Sequence, residues 1–597
     1  MKLLILLFSA VMPLWLVNAA DPKPNSLSPA ESAIMPATVQ FGQHTITCSA
    51  ITIDAAIEPV GFETELAAGK LTARSTSCVI AGTKQSYEGS IELHLEESAD
   101  GVVSWQADAE MAHPIKGIKV EVSTVPGHTV YVSPGKIIRV LENKPLLFAY
   151  PHATYIAGQP WTGTKVKNMH AQAFVITGDK AETPLLVRSK EYPPRFKGYW
   201  LSREGDGVRL GTYLEANAFD RQLKCSTPVW YLEPVPDVQT GYNRHFEWME
   251  EAYGTRPLEE RDDAPDWVKD VCMNIKISCR AKNSEVRHTY AQIEERLRQV
   301  AQYYDPHRVR VHLVGWDGPW DWTYPNYRPD PMLGGEDGFR KMMATAHELG
   351  YRVGVHMNVW GLGLKNPQFD ELQHFLEHQV RDSEDRRLWH KKDTDRDGHD
   401  EPHFAYISPD YEPWRTYMIG RILKAVRDFG IDIVHLDQAT TMVNDRRHNH
   451  WRGVCALFRE LRAQLPPDVA LSGEGTGEVV AHLFPMCGHI VPDIPHLYAS
   501  YVRIYSAPSG NTTVPRGKEA PDDHLKRLRQ HLDKCVEGGQ YPTLPLGDYS
   551  VGVESAGAHA VYEAAKRFQA ILEAEKAVEK AVERTRGQAI DRCRKGL

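Results

Sequence analysis

Ile431-Asp432-Ile433-Val434-His435-Leu436-Asp437 is a short, apolar, β-branched run that stops on a carboxylate. Val469-Ala470-Leu471-Ser472-Gly473-Glu474 repeats the plan and ends on its own acid 37 residues after the first. Between them Val454, Leu457, Phe458, Leu461 and Leu465 recur at helical spacing. A strand–helix–strand unit requires parallel strands, and its crossover brings both strand C-termini to one rim. Asp437 and Glu474 are therefore expected as neighbours facing one pocket. Paired carboxylates on one rim are the equipment of glycoside hydrolysis.

The rhythm extends upstream. Strand candidates at Val271 to Ser278, Val309 to Gly315 and Arg352 to Val359 alternate with helices. One carries Ile293, Leu297, Val300 and Tyr304, the next Phe339, Met342, Met343, Ala346 and Leu349, and a third Met418, Ile422, Val426 and Phe429. Asp410, ahead of the third, reads as a cap or first-turn anion. Later strands are expected at Gly488 to Asp493 and Gln540 to Leu546, with an irregular stretch between. Repeated βα units predict a (β/α)₈ TIM barrel over residues 265–557, followed by a charged, Ala-rich amphipathic helix over 558–597.

Residues 30–255 have a different pattern. Gly117 to Val122, Lys136 to Val140 and Val208 to Tyr213 alternate apolar and polar residues between Gly, Pro, Asn and Asp punctuation, predicting an antiparallel β-sandwich. The charged, Pro-bounded segment 256–265 reads as a linker. Residues 1–20 have a Lys2 start, an apolar run from Leu3 to Val17 and a small-residue end, Val17-Asn18-Ala19-Ala20, which together make a signal peptide. The expected protein is secreted or periplasmic, with no membrane span after cleavage.

The chain of 597 residues is too long for one core. Its formal charge of −9 offers no basic footprint for nucleic acid or an anionic membrane. The expected partner is instead a neutral oligosaccharide or polysaccharide. Nine cysteines show no metal spacing; Cys48 with Cys78, or Cys272 with Cys279, are conceivable disulfides, and buried thiols are the alternative.

In a barrel, the strand C-termini build the pocket. The second strand delivers Trp316, Asp317, Trp320 and Asp321, the third His356, Asn358 and Trp360, the fourth His435, Asp437 and Gln438, and the fifth Glu474. The two-residue period puts His435 and Asp437 on one side, with Val434 and Leu436 toward the helices. Indoles suit the apolar face of a pyranose, while Asp, Asn and His suit its hydroxyls. Glu478 is a rival acid one helical turn beyond Glu474, which directly ends its strand.

A sandwich followed by a barrel, with Asp437 ending strand four and Glu474 ending strand five, resembles retaining α-glycoside hydrolases of the α-amylase-like superfamily. Within that group the chain is similar to endo-α-N-acetylgalactosaminidase-like barrels and related bacterial glycosidase-like proteins, over roughly residues 265 to 550, with a mutarotase-like sandwich before them. The resemblance implies an Asp437 nucleophile and a Glu474 acid/base. It departs from α-amylases at His435, where they carry Arg, which argues against starch.

Asp393, Asp395 and Asp397 alternate like the acids of a calcium loop, but Phe404 stands where such a loop needs its closing Glu. The pattern allows a structural calcium ion and equally a solvated hairpin turn; no cofactor is required for the chemistry. Two other readings stand beside the hydrolase. One is a non-catalytic carbohydrate-binding protein on the same barrel. The other is a metal-dependent hydrolase built on Asp445, His448 and His450.

Overall fold

The computed structural model describes residues 37–133, 135–142, 144–151, 166–178, 183–382, 385–395, 397–488, 497–506, 519–546 and 552–595. The leader reading of residues 1–20 lies outside them, as does most of the Gly488–Asp493 strand.

The N-terminal part is built from two ten-stranded sheets, antiparallel except where Leu146–Tyr150 runs alongside Val166–Asn168. Alternation explains their packing. In His44–Thr52, Gly89–Glu97 and Val103–Met111, every second residue is buried, including Ile46, Cys48, Leu93, Leu95, Trp105 and Ala107. The sheets meet where the Trp105 indole N–H donates to Thr212 Oγ1 of the other sheet, 3.3 Å away. A helix, Val238–Tyr253, then closes this part. Asp237 caps its start by accepting from the Thr240 N–H, and Gly254, at φ 67°, ends it. The alternation-based reading overlooked this helix because it falls inside a strand-rich region.

The segment read as a linker is packed. Leu258 is buried, and Arg261 forks onto Asp263 while donating to the Ala481 carbonyl at 2.6 Å. Its remaining charges, Arg256, Glu259, Glu260 and Asp262, face solvent.

The C-terminal part is a nearly closed parallel sheet. In order round the sheet its strands are Gln540–Tyr541, Arg503–Tyr505, Met486–Gly488, Ala470–Glu474, Ile433–Asp437, Arg352–Asn358, Val309–Val314, Met273–Ser278 and Thr543–Leu546. Only Pro542 separates the two end strands, and its carbonyl accepts from the Asn274 N–H at 2.9 Å. Pro lacks an N–H, so a ladder must break at that point. The expected helices lie between the strands: Tyr290–Val300, Gly335–Leu349, Glu412–Phe429 and His450–Gln464. Asp410 caps, but not the helix it precedes. It accepts from the Asn449 N–H and forks with Arg452, anchoring the start of His450–Gln464 instead.

Strand Arg503–Tyr505 and helix Pro521–Glu537 lie in the stretch expected to be irregular. The strand is only three residues long, too short to show a period; the helix does keep its period, in Leu525, Leu528, Leu532, Cys535 and Val536, and was overlooked there. A small sheet of Gly361–Gly363, Trp389–Lys392 and Glu401–Tyr406 covers part of the rim. Helix Ala556–Lys595 flanks the barrel, burying Val561, Tyr562, Phe568 and Leu572. Among the described residues no helix is long and apolar enough to cross a membrane. Cys48, Cys78, Cys272 and Cys279 are free thiols, so neither conceivable disulfide forms.

Candidate active site at the strand ends

Strands four and five pair in parallel from Ile433↔Ala470 to Leu436↔Gly473, so one further step brings Asp437 beside Glu474. Gly475, at φ 71°, turns the chain away immediately afterwards, and its N–H donates to the Gly488 carbonyl at 2.7 Å. Glu474 Oε2 accepts from the Gln438 N–H at 3.2 Å. Burial first, then the Asp321 charge, pushes the Asp437 carboxyl up to about 6, while a hydrogen bond with Glu474 restrains the rise. Two carboxyls can share such a bond only if one carries a proton.

The third strand supplies the supports. Asn358 Oδ1 accepts from the Trp360 and Gly361 N–H groups at 2.9 and 2.8 Å. That fixes its amide, so Nδ2 faces Asp437 Oδ2 at 3.4 Å. His356 Nε2 lies 3.7 Å from the same oxygen. The Trp320 indole N–H can only donate, and it points at His356 Nε2 from 3.2 Å, so that nitrogen is unprotonated. Burial agrees, lowering the His356 pKa to about 4. Gln438, at φ 60°, accepts from the Trp360 indole at 3.1 Å; a strained residue directly after Asp437 fits a functional rim.

The expected indole surface is only partly present. Trp316 and Trp360 are fully enclosed, with Trp316 donating to the His356 carbonyl at 3.1 Å and Trp360 stacked on His450 at 4.0 Å. They form the wall behind the rim. Trp320 alone keeps some exposure, and the Lys276 and Lys282 ammoniums lie over its ring. Asp317 is buried, accepts from the Tyr327 N–H at 3.2 Å, and is pushed up to about 7 mainly by burial. Asp321 pairs with Lys282 and accepts from Tyr324 at 3.1 Å. Burial opposes its ionisation, but Lys282 and His390 outweigh burial and hold it well below the ordinary range.

The barrel interior is unexpectedly polar. Lys276, Arg310, His312, His435, Ser472 and Tyr505 form the layer under the acids. His435 Nδ1 lies 2.9 Å from Ser472 Oγ, which accepts from Arg310 at 3.1 Å. His312 Nε2 and His356 Nδ1 are 3.3 Å apart. Alternation within Arg310-Val311-His312-Leu313 was the available signal for the inward-facing polar residues; strand ends alone did not capture them.

Glu478 is not on the rim. It is fully buried between the two parts of the molecule, accepting from His245 at 2.8 Å, from the Gln172 N–H and amide at 3.1 and 2.8 Å, and from Tyr150. Its own N–H donates to the His170 carbonyl at 2.8 Å. Asp445 accepts from the Arg381 and Arg447 N–H groups, and His450 Nε2 lies 3.1 Å from the Thr441 carbonyl. Among the described residues, the clusters with converging ligand atoms lie elsewhere. One is the hairpin-tip set of Asp393, Asp395, Asp397 and Glu401, within 4.8 Å of one another. Asp393 and Asp397 also accept from the loop's own Gly398 and His399 N–H groups, as a hairpin turn does.

A family profile described as "Domain of unknown function (DUF6259)" matches residues 237–487. A search of curated protein sequences found no match. Among solved structures, ligand-free alpha-N-acetylgalactosaminidase NagBb from Bifidobacterium bifidum aligns at TM-score 0.60 and 15% identity, over 89% of this chain and 93% of that one. Its GalNAc complex aligns at TM-score 0.62 and 15% identity, over 88% of each chain. A GH36 alpha-galactosidase, AgaA from Geobacillus stearothermophilus, aligns at TM-score 0.49 and 11% identity, over 89% and 73%. The chain shares the NagBb fold. This likeness does not single out the α-amylase-like superfamily suggested by the sequence resemblance.

Proposed function

We propose that this chain is an exported glycoside hydrolase. It cleaves an α-linked sugar with retention on the rim of a (β/α)₈ barrel that follows a β-sandwich. The observation that carries this reading is the pair Asp437 and Glu474, side by side on adjacent parallel strand ends. Glu474 donates its proton to the leaving oxygen while ionised Asp437 attacks the anomeric carbon. Glu474 then deprotonates the water that releases the sugar. Retention calls for carboxyls about 5–5.5 Å apart and inversion about 6.5–9.5 Å; acids on adjacent, in-register strand ends favour the shorter separation. Asn358 and His356 orient Asp437, and Trp320, Asp317, Asp321, His435 and Gln438 complete the sugar pocket.

The fold shared with an α-N-acetylgalactosaminidase supports an α-glycoside substrate and directs the assay. A panel of aryl α-glycosides, N-acetylgalactosaminide included, should give turnover that Asp437→Asn abolishes. Proton NMR should show the α-anomer released first. Sugar binding without turnover by the wild type would instead establish the non-catalytic carbohydrate-binding protein. Turnover retained by Asp437→Asn would reject the nucleophile.

A further inference from the structure

Beside the acid pair, three further side chains converge. Asp321, His390 and His403 each offer one ligand atom, all within 4.8 Å. The histidines come from the paired strands Trp389–Lys392 and Glu401–Tyr406, and Asp321 from the second-strand loop, where its φ of 72° marks a strained backbone. His403 is fully buried, its ring fixed against Trp322 at 4.0 Å, and neither ring nitrogen has a hydrogen-bond partner. Native interiors rarely leave such a group unmatched. His390 Nε2 lies 3.3 Å from Asp321 Oδ2 but off the hydrogen-bonding direction, side by side as two ligands of one ion would be. Its other nitrogen lies 3.3 Å from the Tyr406 hydroxyl, the kind of outer contact that orients a ligating imidazole. Tyr324 holds the remaining Asp321 oxygen.

We propose that Asp321, His390 and His403 form a binding site for a first-row divalent transition-metal ion, zinc foremost, with the Lys282 ammonium as its competitor. Two imidazoles and one carboxylate are a nitrogen-rich set that suits zinc, cobalt or nickel rather than calcium. Lys282 pairs with Asp321 Oδ2, the oxygen that faces His390. Its side chain retains 18% exposure, and its flexible stem lets the ammonium withdraw to solvent when a dication arrives. The neighbouring His312, His356 and His435 group also converges, but its nitrogens are engaged with one another, Trp320 and Ser472. Asp321 also lies beside the acid pair, so the test uses the metal alone and reads binding, not turnover.

Full-length protein stripped with a chelator is titrated with zinc by calorimetry and with cobalt by visible absorption. One ion per chain is expected, with cobalt d–d bands and no displacement by excess calcium. His390→Gln and His403→Gln should each weaken zinc by at least about tenfold, and Lys282→Met should strengthen it. Absence of stoichiometric zinc binding in both wild type and Lys282→Met overturns the proposal, as does undiminished affinity in a folded His403→Gln protein. If the histidine variants lose their far-ultraviolet dichroism, Lys282→Met decides: tighter binding supports the site and unchanged or weaker binding overturns it.

Discussion

Replacing Asp437 with Asn should remove activity and stabilise the fold, and the stabilisation should depend on pH. Asp437 is held at about 6 in the folded protein against an ordinary 3.8, chiefly by burial. Between these values the unfolded chain has released a proton that the folded chain still binds. Stability is therefore lost as pH rises through that window, and the loss is complete above it. At about 1.4 kcal/mol per pKa unit, the difference amounts to about 3 kcal/mol near pH 7. Asn keeps the shape and can still accept from Asn358, while carrying no charge to desolvate. For a unit of about 300 residues, 3 kcal/mol corresponds to roughly 5 °C in Tm. Thermal unfolding of both proteins, followed by circular dichroism, should show the variant several degrees more stable near pH 7 and the two converging near pH 4. An equal gap at both pH values, or a variant less stable near pH 7, would refute the claim that a desolvated Asp437 charge sits on this rim.

The same carboxyl governs the rate. Because the nucleophile must be ionised, kcat/KM should fall on the acid side with a midpoint of about 6, and Asp321→Asn, by removing the neighbouring negative charge, should move that midpoint down; an upward shift counts against the reading. Glu474→Gln should lower kcat/KM by roughly 10²–10⁴-fold on alkyl glycosides and less on nitrophenyl glycosides, whose leaving groups need less protonation; equal losses on both would remove the acid role. Glu478→Ala leaves His245 and Gln172 buried without their partner and should cost about 3–5 kcal/mol in chemical denaturation. Trp316→Ala should cost about 3–5 kcal/mol by opening a cavity, whereas Trp320→Phe should act mainly on KM; the reverse pattern would place the sugar against the wrong indole.

Much of the rim was legible because barrel strands carry their signal locally. Ile431 to Asp437 and Val469 to Glu474 are apolar runs that end abruptly, and parallel connection leaves no choice about which ends adjoin. Asn358 and His356 followed from the same rule applied to strand three. Short or non-local features left no such signal. Arg503–Tyr505 has three residues, too few to show a period. His403 and His390 belong to a small sheet inserted between strands three and four, and their convergence with Asp321 depends on a loop more than sixty residues away in sequence. Trp316 and Trp360 look the same in sequence whether they face a sugar or the core.

By itself, the sequence determined the alternation of strands and helices, the adjacency of Asp437 and Glu474, and the inward direction of His435, because strand period and crossover geometry are properties of short segments. Tertiary structure alone decided that burial pushes Asp437 up to about 6, that Glu478 is buried between the two parts rather than at the rim, and that Lys282 pairs with Asp321. Those outcomes depend on desolvation and on charges brought together from distant segments, which no local pattern records.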